Sequence, residues 1–154
     1  MTDRKKRKNK NLLIWVLAVL LIAVPAVLLG RIFLQYQQAR KEYAGLAAAY
    51  TKQELQAGQT PLLSVNWEQL RAENKDVVGW IEMPALPVLN YPVVRGEDDS
   101  FYLNHSYTGA YRPAGAIFME AQNSETFGDL HTIVYGHNVK DGSMFGGLTK
   151  FKDE

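Results

Sequence analysis

The sequence predicts a mainly β domain with peripheral helices, carried behind a membrane-spanning helix and a helical stalk. Three observations lead there. Short β-branched runs recur between turn residues from Val77 to Gly136. Eighteen residues, Leu12–Leu29, hold neither a charge nor a strongly polar side chain. Between these regions lies a stretch dominated by Gln, Ala, Lys and Glu, all adequate helix formers.

The first segment, residues 1–11, is a basic tail of six Lys/Arg against Asp3, a local charge of +5. The apolar run that follows would rise about 27 Å as a helix, close to a bilayer core of roughly 30 Å. Ile32, Phe33 and Leu34 extend it if Arg31 snorkels, giving a span over residues 12–34. Pro25 is expected to kink it, which a membrane helix tolerates. A cleavable signal peptide shares the basic and apolar pattern, but its apolar region usually runs only about 7–15 residues. The reading is therefore an uncleaved signal anchor in contact with lipid. The excess of basic residues before it places the N-terminus in the cytoplasm, and the rest of a single-pass protein outside the cell.

Residues 35–60 read as a helical stalk. Tyr36, Ala39, Tyr43, Leu46 and Tyr50 recur at three- and four-residue spacing and give one apolar stripe, with Gly58 and Pro61 bracketing a stop. A spacer is favoured over a dimerising coiled coil, because the stripe is shorter than the three or four heptads such a coil needs.

The domain proper covers residues 61–154. Asn66 is placed to cap a helix over Trp67–Asn74, with Gln69 completing a capping box. Val77, Val78, Trp80 and Ile81 form a strand-like run, and "PVLNYPVV" (87–94) a second, its prolines suited to an end or an edge. "GEDDS" is a turn and "FYLNHSY" a short helical or irregular piece. "GAIFME" (115–120) and "HTIVYG" (131–136) are two more strands. After a "KDG" turn, Ser143 to Phe151 reads as a short amphipathic helix with Met144, Phe145, Leu148 and Phe151 on one side. Four or five strands are too few to close a barrel without leaving an unpaired edge, so the domain reads as incomplete.

Composition narrows the chemistry. Residues 61–154 carry seven Lys/Arg against thirteen Asp/Glu, so the domain is acidic and not built to bind nucleic acid. The chain has no cysteine, which excludes disulfides, thiolate metal sites and a thiol nucleophile within these 154 residues. The three histidines, His105, His131 and His137, lack the close spacing of a zinc site. Nothing else calls for a metal or organic cofactor. His105 fits a turn or capping role, and His131 a partly exposed strand start. His137 differs. It follows a strand and a glycine, so its backbone is fixed while its ring can reach a substrate. A serine hydrolase using Ser143, His137 and Asp141 is conceivable, but no nucleophile elbow surrounds any serine. Glu97–Asp99 lacks calcium-loop spacing and reads as a solvated turn.

The blocks "NKDVVGWIEM", "LNYPVVRGEDDSFYLNHSY", "AGAIFME" and "TIVYGHNVKDGSMFGGLTKF", in this order behind a signal anchor, resemble the N-terminal portion of a class B sortase, a membrane-anchored cysteine transpeptidase. The resemblance covers about residues 61–154, and "YGHN" followed by "DGSMF" is its most specific piece. It implies an incomplete sortase-like β-barrel in place of the family's eight strands, with His137 in the position of the catalytic histidine. It also implies a sorting-signal peptide cleaved after Thr, a thioacyl intermediate, and an amine from a cell-wall precursor or another protein as acceptor. The histidine would protonate the leaving amine and deprotonate the incoming one, which suits an imidazole near neutral pH. The family's nucleophilic cysteine and its arginine have no counterpart here, and Arg71, Arg95 and Arg112 lie outside that arginine's motif. The expectation is a sortase chain cut before its nucleophile and inactive as it stands. The alternative is a non-catalytic, membrane-anchored module that binds wall peptides or a protein partner.

Overall fold

The computed structural model describes residues 2–54 and 62–152. The chain divides into two units, residues 1–35 and 36–154. The first is helical throughout its described length, as the opening part of α1 (Thr2–Ala44), with Pro25 inside the helix. Its side chains from Ile14 to Leu29, and those of Ile32, Phe33 and Leu34, are exposed apolar surface, Leu21 at 76 %. This helix is long and apolar enough to cross a membrane.

In the second unit α1 runs on to Ala44, and a single-turn α2 (Leu46–Tyr50) follows Gly45. The expected stripe is present, but its place is the interior. Ala39, Tyr43, Leu46 and Tyr50 are all buried in the core, so this part of the helix is packed onto the domain rather than spacing it. The helix also ends earlier than the stalk expected over residues 35–60, at Tyr50. The Thr51 hydroxyl donates to the Ala47 carbonyl (2.5 Å) and its backbone is extended, which stops α2. Thr51–Glu54 is then β1, antiparallel to β2 (Leu62–Val65). The stop expected at Gly58 and Pro61 lies outside the described residues.

Asn66 caps α3 (Trp67–Glu73) as anticipated, its side-chain Oδ1 accepting from the Gln69 N–H (3.2 Å). The return half of the capping box differs. Gln69 accepts from the Asn66 side-chain amide, because the Asn66 backbone N–H already donates to Tyr50 (2.8 Å).

The main sheet has the order β3-β4-β5-β6, with β3 Val77–Glu82, β4 Asn90–Val94, β5 Ile117–Met119 and β6 Val134–Tyr135. β3 and β4 are antiparallel with a bulge between Val77 and Gly79. β4 and β5 are parallel, which demands a long crossover, and residues 95–116 with a 3-10 turn at Phe101–Leu103 provide it. Pro92 lies inside β4, where a central strand would suffer from the missing N–H. β5 pairs only with Val93 and Val94, so Pro92 sits where β4 is locally an edge on that side. Val94, Ile117 and Met119 are fully buried at the centre of the core.

Several expected elements are shorter than the sequence suggested: β4 begins at Asn90 rather than at residue 87, and β5 covers only Ile117–Met119 of "GAIFME". Of "HTIVYG" only Val134 and Tyr135 enter the ladder, because Ile133 donates instead to the Asn123 side chain (2.8 Å), which also binds the His131 carbonyl. The last helix is a 3-10 helix over Gly146–Phe151, opening on two glycines with poor α-helical propensity. Met144 is buried and Phe145 and Leu148 pack on the core, but Phe151 is 43 % exposed. Among the described residues no strand covers the outer edges of β3 and β6, and the sheet is not a closed barrel.

Candidate active site

His137 stands two residues beyond β6, delivered by Gly136. A Cβ at Gly136 would lie 2.5 Å from Ile117 Cδ1 and 2.8 Å from the Phe145 ring. Only glycine lets the chain leave the sheet here with β5 and Phe145 packed directly against it. The next turn is fixed at both ends. Phe145 N–H donates to the His137 carbonyl (3.0 Å), and Asn138 and Met144 form an isolated antiparallel bridge. Between them Gly142 (φ 83°) and Met144 (φ 51°) take left-handed backbone, and Gly142 N–H closes onto Val139 (3.0 Å). Asp141 accepts from the Ser143 N–H (2.9 Å) and hydroxyl (2.6 Å). The Ser143 hydroxyl above all holds the Asp141 carboxyl below its ordinary range. From beneath, the Tyr91 hydroxyl oxygen accepts the Met144 N–H (3.3 Å). Burial pushes the Tyr91 phenol up, so it remains a neutral anchor.

The imidazole itself is exposed. Its Nε2 lies 2.7 Å from the Leu103 carbonyl oxygen. A carbonyl can only accept, so Nε2 carries a proton, and in the neutral ring the lone pair is on Nδ1. One nitrogen is pinned by backbone and the other is the atom able to take up or release a proton.

The remaining candidates are engaged elsewhere. His105 faces the Phe101 carbonyl through Nδ1 (2.8 Å) and stacks on the Phe101 ring at 4.1 Å, a local structural role. The His131 backbone carbonyl is held by Asn123, and its side chain is exposed. The Ser143 hydroxyl donates to Asp141, which does not make the serine–imidazole bond a hydrolase needs. In the acidic turn Asp98 accepts from the Ser100 N–H and hydroxyl and the Phe101 N–H, while Asp99 accepts from Ala121 N–H (2.7 Å). These contacts make it a capped turn. Arg71 donates to the Val77 carbonyl, Arg95 to Glu125 and the Ala121 carbonyl, and Arg112 to Glu42. Among the described residues no three His, Asp or Glu side chains gather as a metal site. Sequence reasoning did not find the Leu103 carbonyl or Tyr91, for both act across distant chain segments with no local pattern to announce them.

No protein-family model matches the chain. It is 37 % identical to sortase B of Listeria monocytogenes over 107 residues, 70 % of this chain and 43 % of the relative. It is 31 % identical to sortase B of Staphylococcus aureus over 139 residues, 90 % of this chain and 56 % of the relative. Among solved structures it is similar to sortase B from Bacillus anthracis in complex with AAEK1, with a TM-score of 0.67 and 37 % identity, covering 79 % of this chain and 57 % of that one. The chain thus spans about half the length of the curated relatives it matches. Agreement in sequence and in fold at this level establishes kinship, and the chain belongs to the class B sortase family.

Proposed function

We propose that these residues supply the membrane anchor and the histidine of a class B sortase transpeptidase. One observation carries the reading: an exposed imidazole just past the edge strand β6 has Nε2 fixed on a backbone carbonyl, which leaves the lone pair of the neutral ring on Nδ1. In the reaction a thiolate adds to the carbonyl carbon after the threonine of a sorting-signal peptide. The C–N bond breaks as imidazolium at His137 gives its proton to the leaving amine. The neutral ring then takes a proton from the incoming cell-wall or protein amine as its nitrogen bonds to the acyl carbon and the C–S bond breaks, which releases thiolate and restores the imidazolium. General acid–base help of this kind is worth about 10²–10⁴ in rate. The thiol has to come from outside these 154 residues, which contain no cysteine. The basic residues 1–11 support an orientation with the N-terminus in the cytoplasm and the domain on the outer face.

The test joins this chain to the part of the Listeria relative beyond its matched region and measures thiol-dependent peptide transfer. His137→Ala in that fusion should lower the rate by at least about 100-fold. A folded fusion with a reactive thiol and an undiminished rate after the substitution would show that His137 is not the proton carrier.

A further inference from the structure

The contacts that fix the Leu103 carbonyl lead back to α1. The Glu42 carboxylate receives three donors from one loop: the hydroxyls of Ser106 (2.7 Å) and Thr108 (2.9 Å) at Oε1, and Arg112 Nε (3.1 Å) at Oε2. Ser106 is fully buried, and the Glu42 and Arg112 side chains are only 18 % and 23 % exposed. Charge-assisted bonds in such a setting are stronger than neutral ones. The adjacent Tyr43 hydroxyl donates to the Gly115 carbonyl and accepts the Tyr107 N–H, both at 3.1 Å. The loop between these points is tight, with Ser106 N–H on Ala110 and Gly109 N–H on Ser106, both at 2.8 Å.

From the loop the connection to the site is direct. Arg112 N–H donates to the Asn104 carbonyl (2.8 Å), and Ala116 N–H to the Tyr102 carbonyl (3.0 Å). Between them Gly115 (φ 60°) presents its bare Cα so closely that a Cβ there would lie 2.5 Å from the Tyr102 carbonyl oxygen and 2.7 Å from that of Leu103. The segment 112–116 therefore clamps residues 102–104 on both sides of Leu103. The Leu103 carbonyl is the group that meets His137 Nε2.

We propose that Glu42 is a positioning residue for His137: by gathering Ser106, Thr108 and Arg112 it sets the Leu103 carbonyl that keeps the proton on Nε2 and leaves Nδ1 free to react. The functional meaning rests on the acid–base reading of His137, but the arrangement can be read without any turnover.

The experiment uses the full chain, uniformly ¹⁵N-labelled in detergent micelles, and long-range ¹H–¹⁵N spectra of the imidazoles. In the unaltered chain the neutral His137 ring should be mainly the Nε2–H tautomer. Glu42→Ala should lower its Nε2–H to Nδ1–H ratio at least about threefold, the scale of one weakened hydrogen bond. Glu42→Gln, which keeps an acceptor for the hydroxyls but loses the charge facing Arg112, should fall between the two and guards against a fold lost in the alanine variant. Asn66→Ala removes a helix cap without touching the clasp and should leave the ratio unchanged. An unchanged ratio in the Glu42 variants, or an equal change in Asn66→Ala, overturns the proposal. If the ratio moves as expected while His137→Ala in the fusion keeps its rate, the positioning stands and the acid–base reading falls. The reverse pair of results removes the positioning alone.

Discussion

Tyr43→Phe is the sharpest test of how the end of α1 is joined to the domain. The ring is 6 % exposed and packs edge-on against Tyr91, with centroids 5.3 Å apart. Phenylalanine keeps that packing and removes only the hydroxyl. Two buried backbone groups then lose a partner, the Gly115 carbonyl and the Tyr107 N–H. A buried polar group left unpaired costs about 1–3 kcal/mol, so the variant, with two such groups, should lose about 2–6 kcal/mol. Burial pushes the Tyr43 phenol far up, so the group removed is a neutral donor at any ordinary pH. With a urea dependence of about 2 kcal/mol per molar, the unfolding midpoint should drop by about 1–3 M. Tryptophan fluorescence reports it, because Trp80 donates to Asn90 (2.6 Å) within the sheet. Tyr111→Phe, at an exposed ring, is the control and should move the midpoint little. A drop below about 0.3 M for Tyr43→Phe would mean that water or a shifted backbone satisfies both groups, and that the Tyr43 hydroxyl does not tie α1 to the domain.

Gly136→Ala should cost about 1–3 kcal/mol by overpacking against Ile117 and Phe145, measured in the same urea titration, and should displace His137 in the imidazole spectra. Asn66→Ala should cost about 1 kcal/mol through loss of the α3 cap, again read from the urea midpoint. At high pH the tyrosines set the limit. The hydrogen bond to Glu73 pushes Tyr50 to about 12, and burial does the same to Tyr102. Since the unfolded phenols lose their protons near pH 10, their share of stability is full below 10 and disappears between about 10 and 12, which a titration of tyrosinate absorbance will follow. At low pH, Asp98, Asp129 and Asp141 are held below the ordinary carboxylate range, the first two by bonds to Ser100 and Ser124 and the third by Ser143. Their contribution is therefore present above that range and fades as pH falls beneath it, visible as a falling thermal midpoint below pH about 4.

The cues that were legible in the sequence are local ones. The Asn66 cap, the run of Val77 to Ile81 and the "YGHN" strand end each depend on neighbours within a few residues, and each appears where those neighbours place it. The stripe from Tyr36 to Tyr50 was visible, but a periodic apolar face does not say what it will meet. Here it meets Tyr91, Tyr107 and Gly115, up to 72 residues away. The shortened β6 has the same origin, since the Asn123 side chain competes for Ile133 from ten residues upstream. His137 could be singled out from its position after a strand and a glycine. The carbonyl that fixes its tautomer could not, because it lies 34 residues earlier in a segment with no periodic signal.

Pro92 has a consequence for assembly. Were β5 to slide backward along β4, its next rung would oppose an imide with no hydrogen to give, and Ala116 has already spent its own N–H on Tyr102. The parallel ladder is thus limited to two rungs and guarded against slippage, which matters because an offset of one residue would exchange the two faces of β5, both of them buried in packed core. The proline and the Ala116 bond together favour the single alignment in which Ile117 sits beneath Gly136 and the histidine emerges at the sheet margin.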